Sequence, residues 1–135
     1  MLPILPMPTK EAIAVPGAAP ALGPYSHAIR SGDFLFCSGQ VPIDPAHPSG
    51  PCPAGIVAQT ERVIENIRLI LSSQGLDFGQ VVKSTVFMTN LAEFSGMNEI
   101  YAKNFPAPFP ARSTVQVVAL PRGASVEIEV TARFP

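Results

Sequence analysis

The chain has 135 residues, 47% of them apolar and 14% charged, with a formal net charge of −1. That length suits one domain, spanning 1–135, that buries roughly two thirds of its unfolded surface. The scattered charges form no basic stripe to neutralise a run of phosphates, which argues against a nucleic-acid partner, and nothing approaches the ~18 consecutive apolar residues of a membrane span.

The first residues, 1–9, are apolar but interrupted by prolines, and they lack a basic opening segment. They read as an extended or disordered tail, not as a secretory signal. A short strand is expected near Glu11 to Val15. Ala28-Ile29-Arg30 and Phe34-Leu35-Phe36-Cys37 are β-type runs joined by the turn residues Ser31-Gly32-Asp33, which predicts a hairpin. From Pro42 to Gly55 five prolines exclude helix and central strand, so this stretch is a loop.

At Ile56 the period changes. Ile56, Val63, Ile67, Ile70 and Leu71 fall on one helical stripe, and Gly75 offers a stop after Gln74. Val81 to Thr89 then alternates, with Val82, Ser84, Val86 and Met88 expected on one face of a strand. Asn90 is placed to cap a second helix that runs to about Phe105, with Leu91, Phe94, Met97 and Tyr101 at helical spacing. The Pro-rich turn at 106–110 leads to a strand from Ser113 to Leu120, and Pro121-Arg122-Gly123-Ala124 turns the chain into a last strand from Ser125 to Phe134. That strand directs Val126, Ile128, Val130, Ala132 and Phe134 one way, and Glu127 and Glu129 the other.

Strands with two helices in this order predict an α+β fold, a mixed sheet with both helices on one face. The opposite face is expected to carry Glu127, Glu129, Lys83 and Gln116 beside small and apolar residues. It is either wet or closed by another subunit. The low share of charged residues points the same way.

The cysteines, Cys37 and Cys52, lack CxxC spacing, and His27 and His47 are distant in sequence, so no zinc site is expected. Without a signal segment, reduced thiols and a cytoplasmic location are the expectation.

Several segments, taken in order, resemble a known family. Gly23-Pro24-Tyr25-Ser26, Cys37-Ser38-Gly39-Gln40-Val41-Pro42 and Val82-Lys83-Ser84-Thr85-Val86-Phe87-Met88 resemble motifs of the RidA/YjgF family, also labelled the endoribonuclease L-PSP or translation initiation inhibitor family. Asn98 with Tyr101 resembles its second helix. The longest match is Phe109-Pro110-Ala111-Arg112-Ser113-Thr114-Val115-Gln116-Val117, followed by Leu120-Pro121 and Val126-Glu127-Ile128-Glu129-Val130. The resemblance covers about Pro20 to Phe134. It implies a chorismate-mutase-like fold and a homotrimer around a central barrel, with sites in the clefts between subunits. In the deaminating branch it implies hydrolysis of 2-imino acids, derived from 2-aminoacrylate and 2-aminocrotonate, to 2-keto acids and ammonia without a cofactor.

Arg112 is the first candidate. A guanidinium is planar, permanently charged and forked, so it can clamp a substrate carboxylate. A lone Arg after a Pro-rich turn is ordinarily solvated; the Pro110-Ala111-Arg112 motif reverses that expectation. Glu127 is the candidate acid–base group, able to deprotonate water or pass a proton to the leaving nitrogen. Glu129 points the same way, and the family pattern singles out Glu127. Tyr25 either offers its hydroxyl to the substrate or fills an interface with its ring. Ser38 and Gly39 sit at a strand end, either meeting the carboxylate or forming a turn. Asn98 is a poor helix former in mid-helix, with a hydrogen-bonding duty or a satisfied surface position as its two readings. Many deaminating members carry Cys where Thr114 stands. Thr114 removes a thiol nucleophile and so excludes covalent chemistry there, but not hydrolysis by activated water.

Imines already hydrolyse in water, so a thousandfold acceleration requires about 4 kcal/mol. Two other readings keep the fold: a regulatory module that binds keto acids or other small carboxylates without turnover, and a ribonuclease or translation inhibitor. Intact Arg112 with Glu127 favours the enzyme, and the absent basic patch counts against the ribonuclease.

Overall fold

The computed structural model describes Leu2 and residues 9–135. The expectation of a tail over 1–9 therefore falls largely outside the described residues. One mixed six-stranded sheet organises the rest, formed by β1 (Glu11–Ile13), β2 (Ala28–Ser31), β3 (Phe34–Cys37), β4 (Val81–Met88), β5 (Ala111–Gln116) and β6 (Val126–Arg133) in the order β1-β2-β3-β6-β4-β5. Helices α1 (Ile56–Ser73) and α2 (Phe94–Asn104) complete the α+β architecture.

The predicted hairpin forms, with Ala28 opposite Cys37 and Ser31 opposite Phe34. Gly32 in its turn has φ +58°, a conformation that favours glycine. Helix α1 buries Val63, Ile64, Ile67, Ile70 and Leu71 against the sheet. It ends where the sequence says it should. Gly75 at φ +71° lets its own N–H reach the Ser72 carbonyl and the Leu76 N–H reach that of Leu71, the paired closure of a Schellman motif.

Both helices cover the face to which β6 directs Val126, Ile128, Val130 and Ala132, all buried. On β4 the same face receives Ser84, Val86 and Met88 but not Val82. The register slips between Val81 and Lys83, so Val81 is buried and Val82 is turned out to solvent. That bulge corrects the alternation expected from sequence.

Three further boundaries differ. The strand expected over Ser113–Leu120 is β5, starting two residues earlier and ending at Gln116, so Arg112 belongs to the strand instead of preceding it. Asn90 caps a single 3₁₀ turn at Leu91–Glu93, with its side chain accepting from the Ala92 N–H, and α2 follows from Phe94. Gln116 also changes sides. β5 runs parallel to β4 and pairs Gln116 with buried Met88, which puts it on the helix-covered face, where its side chain accepts the Leu91 N–H. Parallel pairing at an outer strand could not be read from a sequence period alone.

Candidate functional site

The register of three strands distributes the candidate residues. Arg112 pairs with Ser84 and Thr114 with Val86, so both lie on the helix-covered face at the sheet's outer strand. Glu127 pairs with Phe87, and Glu129 with Thr85, on the opposite, open face. One chain therefore carries two separate candidate half-sites, one on each face of the sheet.

The first half-site is a cleft of about 500 Å³ lined by Asn98, Tyr101, Ala102, Phe109, Pro110 and Arg112. Arg112 Nη1 donates to Asn98 Oδ1 at 2.8 Å. Its guanidinium carbon lies 4.6 Å from the Tyr101 ring centroid and 5.5 Å from that of Phe94. The cation is held by one hydrogen bond and two aromatic faces. Among the described residues no carboxylate forms a salt bridge with it. Tyr101 is itself fixed, its hydroxyl 2.6 Å from buried Ser84 Oγ and its ring stacked on Phe105 at 4.0 Å. Burial raises the Tyr101 phenol above its ordinary range, against smaller lowering influences from Ser84 and Arg112. The ring thus faces the guanidinium as a neutral π surface.

The second half-site is a cavity of about 480 Å³ whose lining includes Tyr25, His27, Ser38, Gly39, Glu127 and Glu129. Burial, with the nearby charge of Glu129 adding, pushes the Glu127 carboxyl above the usual carboxylate range. Gly39 is required for its placement. A Cβ at that position would stand 2.5 Å from Glu127 Oε2 and 3.0 Å from the carboxyl carbon. Tyr25 accepts the Leu22 N–H at 3.0 Å, which leaves its hydroxyl proton available to the cavity. Ser38 is less free, because its hydroxyl donates to the Ser26 carbonyl at 2.6 Å and its N–H to the His27 carbonyl. It ties the Tyr25 segment to the end of β3 and presents only oxygen lone pairs to a ligand.

The structure thus brings Tyr25, Ser38, Gly39 and Glu127 together, and separately Asn98 with Arg112. Thr114 lines neither cavity. Sequence reasoning passed over Tyr101, although its i, i+3 spacing from Asn98 was a signal that both face the same strand. It also passed over His27, Asn66 and Arg122. Asn66, buried on α1, donates to the Val41 and Ile43 carbonyls and so fixes one cavity wall. Arg122, at φ 64°, clasps the Pro48 and Gly50 carbonyls of the Pro-rich loop. No local sequence pattern announces either contact.

Among the described residues no group of three or more His, Cys, Asp or Glu side chains could hold a metal ion, and no helix is long and apolar enough to cross a membrane. Cys37 is buried, its thiol pushed up to about 12 by desolvation, and Cys52 is also free.

Comparison with known proteins identifies the family. The family model for Endoribonuclease L-PSP matches residues 16–134. Protein DfrA of Myxococcus xanthus is 46% identical over 125 residues, 91% of this chain and 95% of that protein. The 2-iminobutanoate/2-iminopropanoate deaminase of Mus musculus is 41% identical over 124 residues, 91% of this chain and 90% of the relative. The crystal structure of RidA from an Antarctic Psychrobacter superimposes with a TM-score of 0.86 at 39% identity, covering 92% of this chain and 99% of that one. The chain belongs to the Endoribonuclease L-PSP family, the family of RidA and YjgF, and carries its α+β fold.

Proposed function

We propose that the chain hydrolyses 2-imino acids and their enamine tautomers, 2-iminopropanoate and 2-iminobutanoate among them, to 2-keto acids and ammonia. The observation that carries this reading is the pair of complementary half-sites. One presents an anchored guanidinium in a cleft, and the other a carboxyl that holds its proton unusually well. A small imino acid needs both, a fork for its carboxylate and a group that moves a proton at its C=N carbon.

Because the half-sites lie on opposite faces of one sheet, the reading includes assembly. Arg112 of one copy faces Glu127 of a neighbouring copy in a homotrimer. Tyr25 supplies a hydroxyl and Gly39 exposed backbone beside Glu127, while Asn98 steadies Arg112. Thr114 follows Arg112 on the same strand face and contributes through its backbone.

In this scheme the Glu127 carboxylate takes a proton from water as its oxygen adds to the imine carbon. That proton passes to the nitrogen to give the carbinolamine, whose hydroxyl proton is then moved by way of Glu127 to the amine as C–N breaks, releasing ammonia and forming the keto C=O. The burial that raises Glu127 brings its proton affinity closer to that of the groups it serves. Orientation of water and substrate can furnish the modest acceleration this chemistry requires. The free cysteines suit a reducing compartment, the cytoplasm.

The test generates 2-iminopropanoate with an amino-acid oxidase and follows its trapping by semicarbazide. Wild type is expected to suppress semicarbazone formation and Arg112→Ala to lose that effect. A well-folded wild type without effect rejects hydrolysis of small imines and leaves a carboxylate-binding module.

A further inference from the structure

The segment from Pro16 to Ser26 contributes Ala19, Pro20, Leu22 and Tyr25 to the Glu127 cavity, yet it forms no strand or helix. Such a loop needs specific ties to keep a shape. One tie comes from a side chain that the reaction scheme leaves unused. His27 Nδ1 accepts the Val15 N–H at 3.0 Å, and His27 Nε2 lies 2.9 Å from the Ala19 carbonyl. Since Nδ1 accepts, the ring proton must sit on Nε2, where it donates to Ala19. One imidazole thus bridges backbone groups four residues apart.

The tie sits where it matters. Val15 is buried in the main core, and Ala18 packs against that core. Ala19 begins the stretch that lines the cavity. The far end of the loop is secured to β3, through the bonds of Ser38 to the Ser26 and His27 carbonyls. His27 lies between a buried anchor and the cavity wall.

We propose that His27 is a positioning residue: its ring cross-links Val15 and Ala19 and so fixes the Pro16–Ser26 loop, with Tyr25, as the wall that keeps water from Glu127. The inference rests on the assignment of Glu127 as the acid–base group. His27 borders the cavity, but both of its ring nitrogens are taken by backbone groups, so it acts through the loop. The chemistry required is one acceptor and one donor at opposite sides of a flat group. A glutamine amide can imitate that, and a phenylalanine ring of similar size cannot.

The experiment compares wild type, His27→Phe and His27→Gln in the full-length assembled protein, with three readouts. Amide exchange at Val15 reports the tie itself, a ¹³C NMR titration of Glu127 reports the wall, and kcat/KM for imine hydrolysis reports the consequence. In His27→Phe, Val15 exchange accelerates, Glu127 titrates nearer the ordinary carboxylate range, and kcat/KM falls by about tenfold to a hundredfold, as expected for a misplaced wall. His27→Gln restores all three.

A folded His27→Phe with unchanged Val15 exchange, or with fast exchange but an unmoved Glu127 titration, overturns the inference. Where His27→Phe does not fold, His27→Asn, whose shorter amide reaches one backbone partner but not both, takes its place with the same expectation. Exchange and titration do not depend on turnover. A wild type inactive on imines would therefore refute the proposed reaction while these two readouts still decide the role of His27.

Discussion

Arg112 and Glu127 stand on opposite faces of one sheet, on strands that flank β4 from either side. A three- or four-carbon substrate cannot touch both within one chain, so a shared site between copies has a direct genetic test. Arg112→Ala and Glu127→Gln chains, each inactive alone, are refolded together. Random mixing places an intact Arg112 opposite an intact Glu127 in about one quarter of inter-subunit sites. Activity should recover to that order. A mixture as inactive as its parents would reject a site shared between copies.

In the proposed reaction Glu127 also sets a trade between stability and activity. Its carboxyl holds a proton to higher pH in the folded protein than in the unfolded chain, because burial first and Glu129 second disfavour the anion. The folded state binds the extra proton, so stability falls as pH climbs from the ordinary carboxylate range through the raised value. Above that window the loss is complete, and below it the loss is absent. Glu127→Gln removes the ionisation. Its melting temperature should match wild type near pH 3 and exceed it at pH 7, by on the order of 2 °C for a group this exposed. Its turnover should drop by about 10² to 10⁴. Thermal melts at the two pH values check the sign, and an inactive variant with no stability gain would place the raised carboxyl elsewhere.

Much of this arrangement is legible in the sequence where burial alone dictates pattern. The α1 stripe, the hairpin and β6 each pack one face on the core, so their periods survive in the residues. β5 does not. It is an outer strand with most residues exposed, which blurs its period and hides its start before Arg112. Val82 misleads for another reason, because a bulge breaks the period of two within β4. The candidate residues themselves were named from family motifs. Their division into two half-sites was not, since it depends on which strands become neighbours and in which direction. His27 and Tyr101 act through contacts 12 and 17 residues away, with Val15 and Ser84, and no local window contains such a pair.

Gly39 tests how tightly the Glu127 half-site is built. Its missing side chain leaves the space in which the carboxyl lies, and an added methyl would collide with Oε2 at 2.5 Å. A flexible carboxylate can swing aside, so Gly39→Ala should fold, at a cost of about 1–3 kcal/mol from overpacking. The displaced Glu127 should lose its position relative to the substrate, lowering kcat more than it raises KM. A crystal structure of the variant would show the rotated carboxyl. Unchanged kcat with a displaced carboxyl would exclude Glu127 from the proton transfer.

Tyr101 and Ser84 form the support beneath Arg112, and their coupling is measurable apart from catalysis. Their hydroxyls meet at 2.6 Å in a buried position, where an unmatched partner costs about 1–3 kcal/mol. Ser84→Ala strands the Tyr101 hydroxyl, and Tyr101→Phe strands that of Ser84, so each single change should lower stability by that order. The double variant leaves neither group unpaired and should lose less than the sum of the two. Affinity for 2-oxobutanoate should follow a different order. Tyr101→Phe keeps the aromatic face under the guanidinium, 4.6 Å from its carbon, and should bind nearly as wild type. Tyr101→Leu removes that face and should bind several-fold more weakly even in its folded fraction. Calorimetric titration of wild type and the two Tyr101 variants separates the two effects. Equal affinities for Tyr101→Phe and Tyr101→Leu would reduce Tyr101 to a core residue and leave Asn98 to hold Arg112 without it.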